Sequence, residues 1–256
     1  MKIFLSGSKT ATALPEKLTA LLDAYCQQNC EFLIGDCFGA DRLMQEYLSA
    51  KGYQNVTVYV SGAHTRHCTA GYPVRQIAVP EGVTGFTFYR QKDIAMAQDC
   101  DAAVMLWDRK TRGTRCNIEK MQRMGKPYEV ILTDDLSDSS GRFQIENDTV
   151  VRWDGTAKSI IVPKTVKVIA KYAFHCCDLD SIILPDQLTV IENKAFFGCR
   201  NLMRVTIPPN VQRIGYRAFA FCRSLREVFI TRSVDMEQAV FECCPDVHLE
   251  FYEAVL

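Results

Sequence analysis

The 256-residue sequence contains no run of eighteen apolar residues, so no segment is suited to cross a bilayer as a helix. It also lacks a charge excess, because thirty basic and thirty acidic residues cancel. That removes the broad positive field needed for non-specific binding to nucleic acid or an anionic membrane, and neither is expected as a partner. Among twelve cysteines there is no C-x-x-C pair. Cys26 and Cys30 lie four apart on an expected helix, while Cys176–Cys177 and Cys243–Cys244 are adjacent, spacings that suit one tetrahedral metal site poorly. No metal and no cofactor is therefore expected, and the cysteines read as reduced and structural. The opening MKIFLSGSKT lacks the apolar core of a secretory signal, since its run ends at Ile3-Phe4-Leu5. The expected location is the cytoplasm.

What the sequence does have is enough apolar material to build cores: 48% apolar against 23% charged residues. A polar Ser/Asp-rich stretch, Thr133 to Gly141, breaks the chain near its middle. The expected organisation is a domain over 1–134, a linker over 135–142 and a second domain over 143–256. Phe143–Ile145 and Thr149–Trp153 read as a hairpin that covers the open end of the second domain.

That second domain is a repeat. Ile160-Ile161-Val162-Pro163, Ile182-Ile183-Leu184-Pro185 and Val205-Thr206-Ile207-Pro208 align with their prolines 22 and 23 residues apart. Each is followed by an Ala-Phe pair or its remnant: Ala173-Phe174, Ala195-Phe196, Ala218-Phe219 and Ala239-Val240. A cysteine lies four residues past each alanine, at Cys177, Cys199, Cys222 and Cys243. Such a period fits one solenoid coil of strand plus helical turn, which buries its apolar face only by stacking on neighbours. Phe fills the interior, and Cys serves as a small apolar residue inside the turn. The pattern resembles the BspA-like leucine-rich repeat over about residues 157–250, with three to four coils, and Val211-Gln212-Arg213-Ile214-Gly215-Tyr216-Arg217-Ala218-Phe219 carries the resemblance most clearly. The resemblance implies a protein partner. The competing reading is a module that merely packs on the first domain.

The first half alternates strand and helix. Strands are expected at Lys2–Ser6, Glu31–Ile34, Val56–Val60, Ala102–Trp107 and Tyr128–Leu132, and helices at Pro15–Gln28, Ala40–Ala50, Arg90–Gln98 and Thr114–Met124. This predicts an α/β fold: a doubly wound, five-stranded parallel sheet (Rossmann-like), followed by a small leucine-rich-repeat solenoid. The stretch 61–89 reads as neither strand nor helix throughout. It contains His64, Arg66, His67, Arg75 and Tyr89, and reads either as a lid over a phosphorylated ligand or as an ordered surface loop.

In such sheets ligands lie beyond the carboxyl ends of the strands. Three loops matter: 6–13, 35–41 and 108–114. They place Gly7, Ser8, Gly35, Asp36, Gly39, Ala40, Asp41, Asp108, Gly113 and Thr114 at one edge. Free N–H groups at helix starts, approached closely past glycine, suit phosphate.

The Gly35-Asp36-Cys37-Phe38-Gly39-Ala40-Asp41 turn, Lys92-Asp93-Ile94-Ala95-Met96, Cys100-Asp101-Ala102-Ala103-Val104 and Arg112-Gly113-Thr114 resemble the SLOG superfamily across residues 2–133. That superfamily includes the Lonely Guy phosphoribohydrolases and the DNA-processing protein DprA, and is more distantly similar to nucleoside deoxyribosyltransferases. The resemblance implies a pocket for a nucleotide or nucleotide-derived ligand, with Gly35, Gly39 and Ala40 approaching phosphate beside Asp41. Gly113 and Thr114 would form a second anion corner, and Arg90 or Lys92 would supply the basic residue. It also implies a possible homodimer. The plainer readings are a first-turn helix residue for Asp41 and a solvated helix face for Arg90 and Lys92.

Enzymes that cleave an N-glycosidic bond need a carboxylate near the sugar carbon, because positive charge builds there. The enzymatic relatives carry it as Gly-Thr-x-x-Glu, whereas this register gives Gly113-Thr114-Arg115-Cys116-Asn117, an amide. Lys110-Thr111-Arg112 stands where Pro-Gly-Gly precedes Gly-Thr. Glu119, five residues past Thr114, points about 140° away from it. Catalytic residues are therefore not assigned. The leading expectation is a ligand sensor joined to an interaction module. The alternatives are a glycosidic-bond enzyme, drawing a carboxylate from Asp36, Asp41 or Asp108, and a pure interaction protein.

Overall fold

The computed structural model describes residues 1–69, 71–133 and 143–253. The expected linker, 135–142, lies outside them. The chain divides into two compact units, Met1–Met121 with Lys126–Asp135 and Leu136–Leu256 with Gln122–Gly125.

The first unit runs β1 (Lys2–Gly7), α1 (Glu16–Gln27), β2 (Glu31–Gly35), α2 (Ala40–Ala50), β3 (Val56–Ser61), β4 (Val74–Ile77), α3 (Gly85–Asp99), β5 (Ala102–Trp107), α4 (Arg112–Arg123) and β6 (Tyr128–Leu132). All six strands pair in parallel, in the order β4-β3-β2-β1-β5-β6. Ile3 pairs with Phe32 on one side and Ala102 on the other, so strand order reverses between β1 and β5. Strand alternation separates two buried faces. Ile3, Leu5, Phe32, Ile34 and Val58 pack with Leu18 and Leu22 of α1 and Met44 and Leu48 of α2. The opposite face meets α3 and α4: the Tyr59 hydroxyl donates to Asp99 at 2.8 Å, and Asn117 donates to the Ser6 hydroxyl at 2.9 Å. α3 ends where the Lys126 ammonium donates to the carbonyls of Ala97, Gln98 and Cys100, satisfying its open C-terminal acceptors.

The five-stranded expectation is corrected to six strands, and the unassigned stretch 61–89 is corrected with it. β4 is an edge strand whose residues are mostly exposed, so Val74-Arg75-Gln76-Ile77 shows no alternation to detect. α3 begins at Gly85, five residues before the expected Arg90. Its N-cap, Thr84, makes no side-chain capping bond, which removes the usual sequence signal.

In the second unit, β7 (Phe143–Glu146) and β8 (Thr149–Trp153) form an antiparallel hairpin. Its turn residues Asn147 and Asp148 both hold positive φ, 47° and 61°, which Asn and Asp tolerate better than most residues. Two parallel ribbons follow. One joins β8 to β10 (Val168–Ile169), β12 (Val190–Ile191), β14 (Arg213–Ile214) and β16 (Asp235–Met236). The other is made of two sheets, β9 (Ser159–Ile161) with β11 (Ser181–Ile183), and β13 (Arg204–Thr206) with β15 (Glu227–Ile230) and β17 (His248–Phe251).

Between the ribbons runs a phenylalanine column. Phe174, Phe196 and Phe219 stack at 4.8 Å with nearly parallel rings, and Phe241 extends the stack at 5.7 Å. The amides of Phe174, Phe196 and Phe219 donate to the carbonyls of Ala195, Ala218 and Val240, one coil onward. The last coil therefore aligns Val240-Phe241 with the Ala-Phe pairs, which corrects the Ala239-Val240 register by one residue. Its buried cysteine is Cys244, not Cys243. The thiols of Cys199, Cys222 and Cys244 donate to the carbonyls of Phe174, Phe196 and Phe219, while Cys243 sits exposed at a turn position with φ 58°. Adjacent cysteines at 243–244 made either register plausible in the sequence; the carbonyl partner decides between them. Among the described residues, no helix is long and apolar enough to cross a membrane.

Candidate ligand-binding cleft

Loops beyond the carboxyl ends of β1 and β5 meet first. The Ser8 hydroxyl accepts from the Asp108 amide at 3.0 Å, and its carbonyl accepts from the amides of Ala11 and Ala40. A Cβ on Gly7 would lie 2.3 Å from the Ala40 Cβ, and one on Gly39 would lie 2.4 Å from the Lys9 carbonyl oxygen. These small residues let three loops close on one another.

Gly35 has a different role. A Cβ there would fall 2.2 Å from the Lys92 ammonium and 2.5 Å from an Asp41 carboxylate oxygen. The missing side chain makes room for a buried charge cluster. Lys92, 4% exposed, bridges to Asp93 at 2.7 Å and to Asp41 at 3.8 Å. Beside them Asp36 binds the Arg66 guanidinium at 2.6 Å and the Arg66 amide at 3.0 Å. Burial pushes the Asp41 carboxyl up to about 6, against the pull of Lys92. Burial also works to raise Asp36, but hydrogen bonds from Arg66 hold it below the usual carboxylate range. Burial opposes the charge on Lys92, yet Asp93 and Asp41 hold its ammonium above the ordinary range. The reading of Lys92 as a residue on a solvated helix face is thereby corrected.

Asp108 fixes the start of α4. One of its oxygens accepts from the amides of Lys110 and Thr111, and the other from the hydroxyls of Thr10 and Thr111. Burial works to raise this carboxyl, and these donors hold it well below the ordinary range. The first turn of α4, Arg112-Gly113-Thr114, then faces a cleft of about 790 Å³. Thr114 is 2% exposed, and its buried hydroxyl oxygen has no hydrogen-bond partner among the described residues. A Cβ on Gly113 would meet nothing within 4 Å.

Of the residues singled out in the sequence, Gly7, Asp41, Arg90, Lys92, Asp108, Gly113, Thr114 and Asn117 line this cleft. Ser8, Gly35, Asp36, Gly39 and Ala40 do not line it; they are turn and packing residues, buried except for the half-buried Gly39. Glu119 also lies outside the lining, paired with Arg115 at 3.7 Å. The lining adds residues that were not assigned as ligand-binding from the sequence: Lys9, Thr10, Lys110, Thr111, Arg112 and Phe86. Lys110-Thr111-Arg112 was visible as a departure from a family pattern, and its basic character was the available signal. Six basic side chains line the cleft, namely Lys9, Arg66, Arg90, Lys92, Lys110 and Arg112, against three acidic ones, Asp41, Asp93 and Asp108. The surplus of positive charge suits an anion.

Residues 152–253 match the BspA type leucine rich repeat region, in six copies, more than the three to four coils expected. Those residues form a leucine-rich-repeat region of that type. No curated protein matches the chain. Among solved structures, a leucine-rich-repeat protein of T. pallidum is 22% identical, over 45% of this chain and 71% of that one, with a TM-score of 0.37. A leucine-rich-repeat protein from Eubacterium ventriosum is 15% identical, over 98% and 78% of the two chains, with a TM-score of 0.36. A leucine-rich cell surface protein from Faecalibacterium prausnitzii is 12% identical, over 99% and 88%, with a TM-score of 0.38.

Proposed function

We propose that the first unit binds a nucleotide-derived anionic ligand in this cleft, and that the leucine-rich-repeat region contacts a protein partner. The observation that carries the ligand reading is the Thr114 hydroxyl, buried without a partner at the N-terminal turn of α4. An unsatisfied buried hydroxyl costs about 1–3 kcal/mol, and a ligand oxygen in the cleft would offset that cost. The surrounding cations and the amides of the first turn favour a phosphate. The Rossmann-like topology and the SLOG-like turns agree with a site at the reversal between β1 and β5.

Binding without turnover is the better-supported mode. All three carboxylates that line the cleft are engaged: Asp108 by four donors, Asp93 by Lys92, and Asp41 by the Cys37 amide and Lys92. The position that bears a carboxylate in the enzymatic relatives is Asn117, which is tied to Ser6. The test is a thermal-shift series with mononucleotides, cyclic nucleotides, ADP-ribose and sugar phosphates, followed by product analysis of each stabilising compound. A compound that raises the melting temperature and is recovered intact supports the sensor. Conversion to free base and sugar phosphate would replace it with an enzyme, and no shift at millimolar concentration would remove the ligand altogether.

A further inference from the structure

Two aromatic rings in the same cleft are explained neither by the anion nor by the core. Phe86 and Tyr89, one turn apart near the start of α3, are 39% and 45% exposed and line the cleft. Each carries a guanidinium on its ring. Arg112 lies 4.6 Å from the Phe86 centroid, with Arg90 at 5.8 Å, and Arg66 lies 4.2 Å from the Tyr89 centroid. The arginines come from different elements. Arg112 opens α4, next to Gly113 and Thr114, while Arg66 is held by the buried Asp36 carboxylate.

Guanidinium on aromatic is a flat, positively charged and weakly hydrated platform. A flat ring laid on it loses little hydration and gains stacking on both kinds of partner, and a nucleobase is the ring that arrives attached to a phosphate. An anion alone has no use for exposed phenyl faces.

We infer that the Phe86–Tyr89 platform, with Arg112 and Arg66, holds the base of a nucleoside phosphate whose phosphate lies against Thr114 and the first turn of α4. This rests on the anion reading proposed above and adds a second, separable end to the ligand. The cleft volume of about 790 Å³ lies within the range of small-molecule sites.

The test titrates the full chain with the four ribonucleoside monophosphates and with ribose 5-phosphate, as wild type, Phe86→Leu and Phe86→Trp. Phe86→Leu removes the ring and keeps the bulk; Phe86→Trp widens the ring. Wild type is expected to bind at least one nucleotide about five- to hundredfold more tightly than ribose 5-phosphate, the range that a base–aromatic stack supplies. Phe86→Leu should weaken the nucleotide far more than ribose 5-phosphate and so erase that preference, and Phe86→Trp should keep it. Equal affinity for nucleotide and ribose 5-phosphate in wild type would overturn the platform and leave the anion reading standing. So would a Phe86→Leu variant that weakens both ligands alike. Failure of all five compounds to bind would overturn the inference, and the anion reading would then stand or fall with the wider thermal-shift series.

Discussion

The two halves of the molecule bury different things. Among the described residues the repeat unit buries apolar side chains, a few serines and threonines, and cysteines that act as small apolar groups, but no charged residue below the surface. The first unit buries Asp36, Asp41, Lys92 and Glu119, together with Ser6, Thr114 and Asn117. Stacking coils repeat one packing solution, so most buried side chains there meet the rung above and below. The Thr206 hydroxyl and the Trp153 ring nitrogen are also buried without a partner among the described residues. In the first unit the difference is buried charge, gathered largely at the strand ends of the parallel sheet. Desolvated charge is expensive unless paired, and it persists where it does more than fill space.

The largest test of that contrast is in the column. Phe196 is fully buried between two rings at 4.8 Å. Phe196→Ala should destabilise the repeat unit by about 3–5 kcal/mol. Hydrogen exchange should then rise across the flanking coils, while peptides of β1 to β6 keep their protection. Loss of protection spread evenly over both units would break the comparison.

Lys92→Met removes the cation from the buried cluster and leaves Asp41 and Asp93 facing each other. Removing one member of a buried pair costs about 3–5 kcal/mol, and the lower end is expected because Asp41 takes a proton readily. The loss should be greatest near pH 7 and partly recovered near pH 5, where the carboxyl is neutral. Urea unfolding at the two pH values measures it. A loss independent of pH would mean that the packing of Lys92, not its charge, is what matters.

Asp41 itself gives a smaller, signed effect. Its carboxyl is raised in the folded protein to about 6 from 3.8, so the folded state holds the proton more tightly than the unfolded state. The associated stabilisation is complete below about pH 4, declines as pH rises to about 6 and is gone above it. Lys92, Asp93, Asp36 and Cys37 face the group. Of these, Asp36 is shifted downward and titrates below the window. Asp41→Asn should therefore flatten the fall in stability between pH 4 and 6, by on the order of 2 kcal/mol over the window. Parallel curves for the two proteins would show that Asp41 keeps an ordinary acidity when folded.

How much of this was legible in the sequence follows the same division. In the repeats, the Ala-Phe and cysteine spacings showed the coils. The number of coils fell short, three to four against six copies, and the last register slipped, because Cys243-Cys244 offered two candidates and Val240 stands where earlier coils have Ala. In the first unit the strand ends were legible from glycine and from apolar runs. β4 was not, because an exposed edge strand needs no apolar face. Nor were the supporting roles of Ser8, Gly39 and Ala40: glycine and small residues look alike in sequence whether they admit a ligand or a neighbouring loop. The distinction lies in what a Cβ would strike, a protein backbone at Gly39 but open space at Gly113.

The smallest expected effect on stability separates the two halves most sharply. Thr114→Val replaces a buried, unpartnered hydroxyl with a methyl of nearly the same size. In a core built only for packing, a polar-to-apolar swap at a satisfied site costs stability, as the loss of a hydrogen bond does. Here no hydrogen bond is lost, so the change should be neutral or stabilising by about 1 kcal/mol. The same substitution should weaken a bound phosphate about tenfold, because the hydroxyl that met it has gone. Stability retained with affinity lost identifies a group kept for its ligand. Stability lost along with affinity would show that the hydroxyl has a partner within the fold, and the contrast between the two units would then rest on the charged cluster alone.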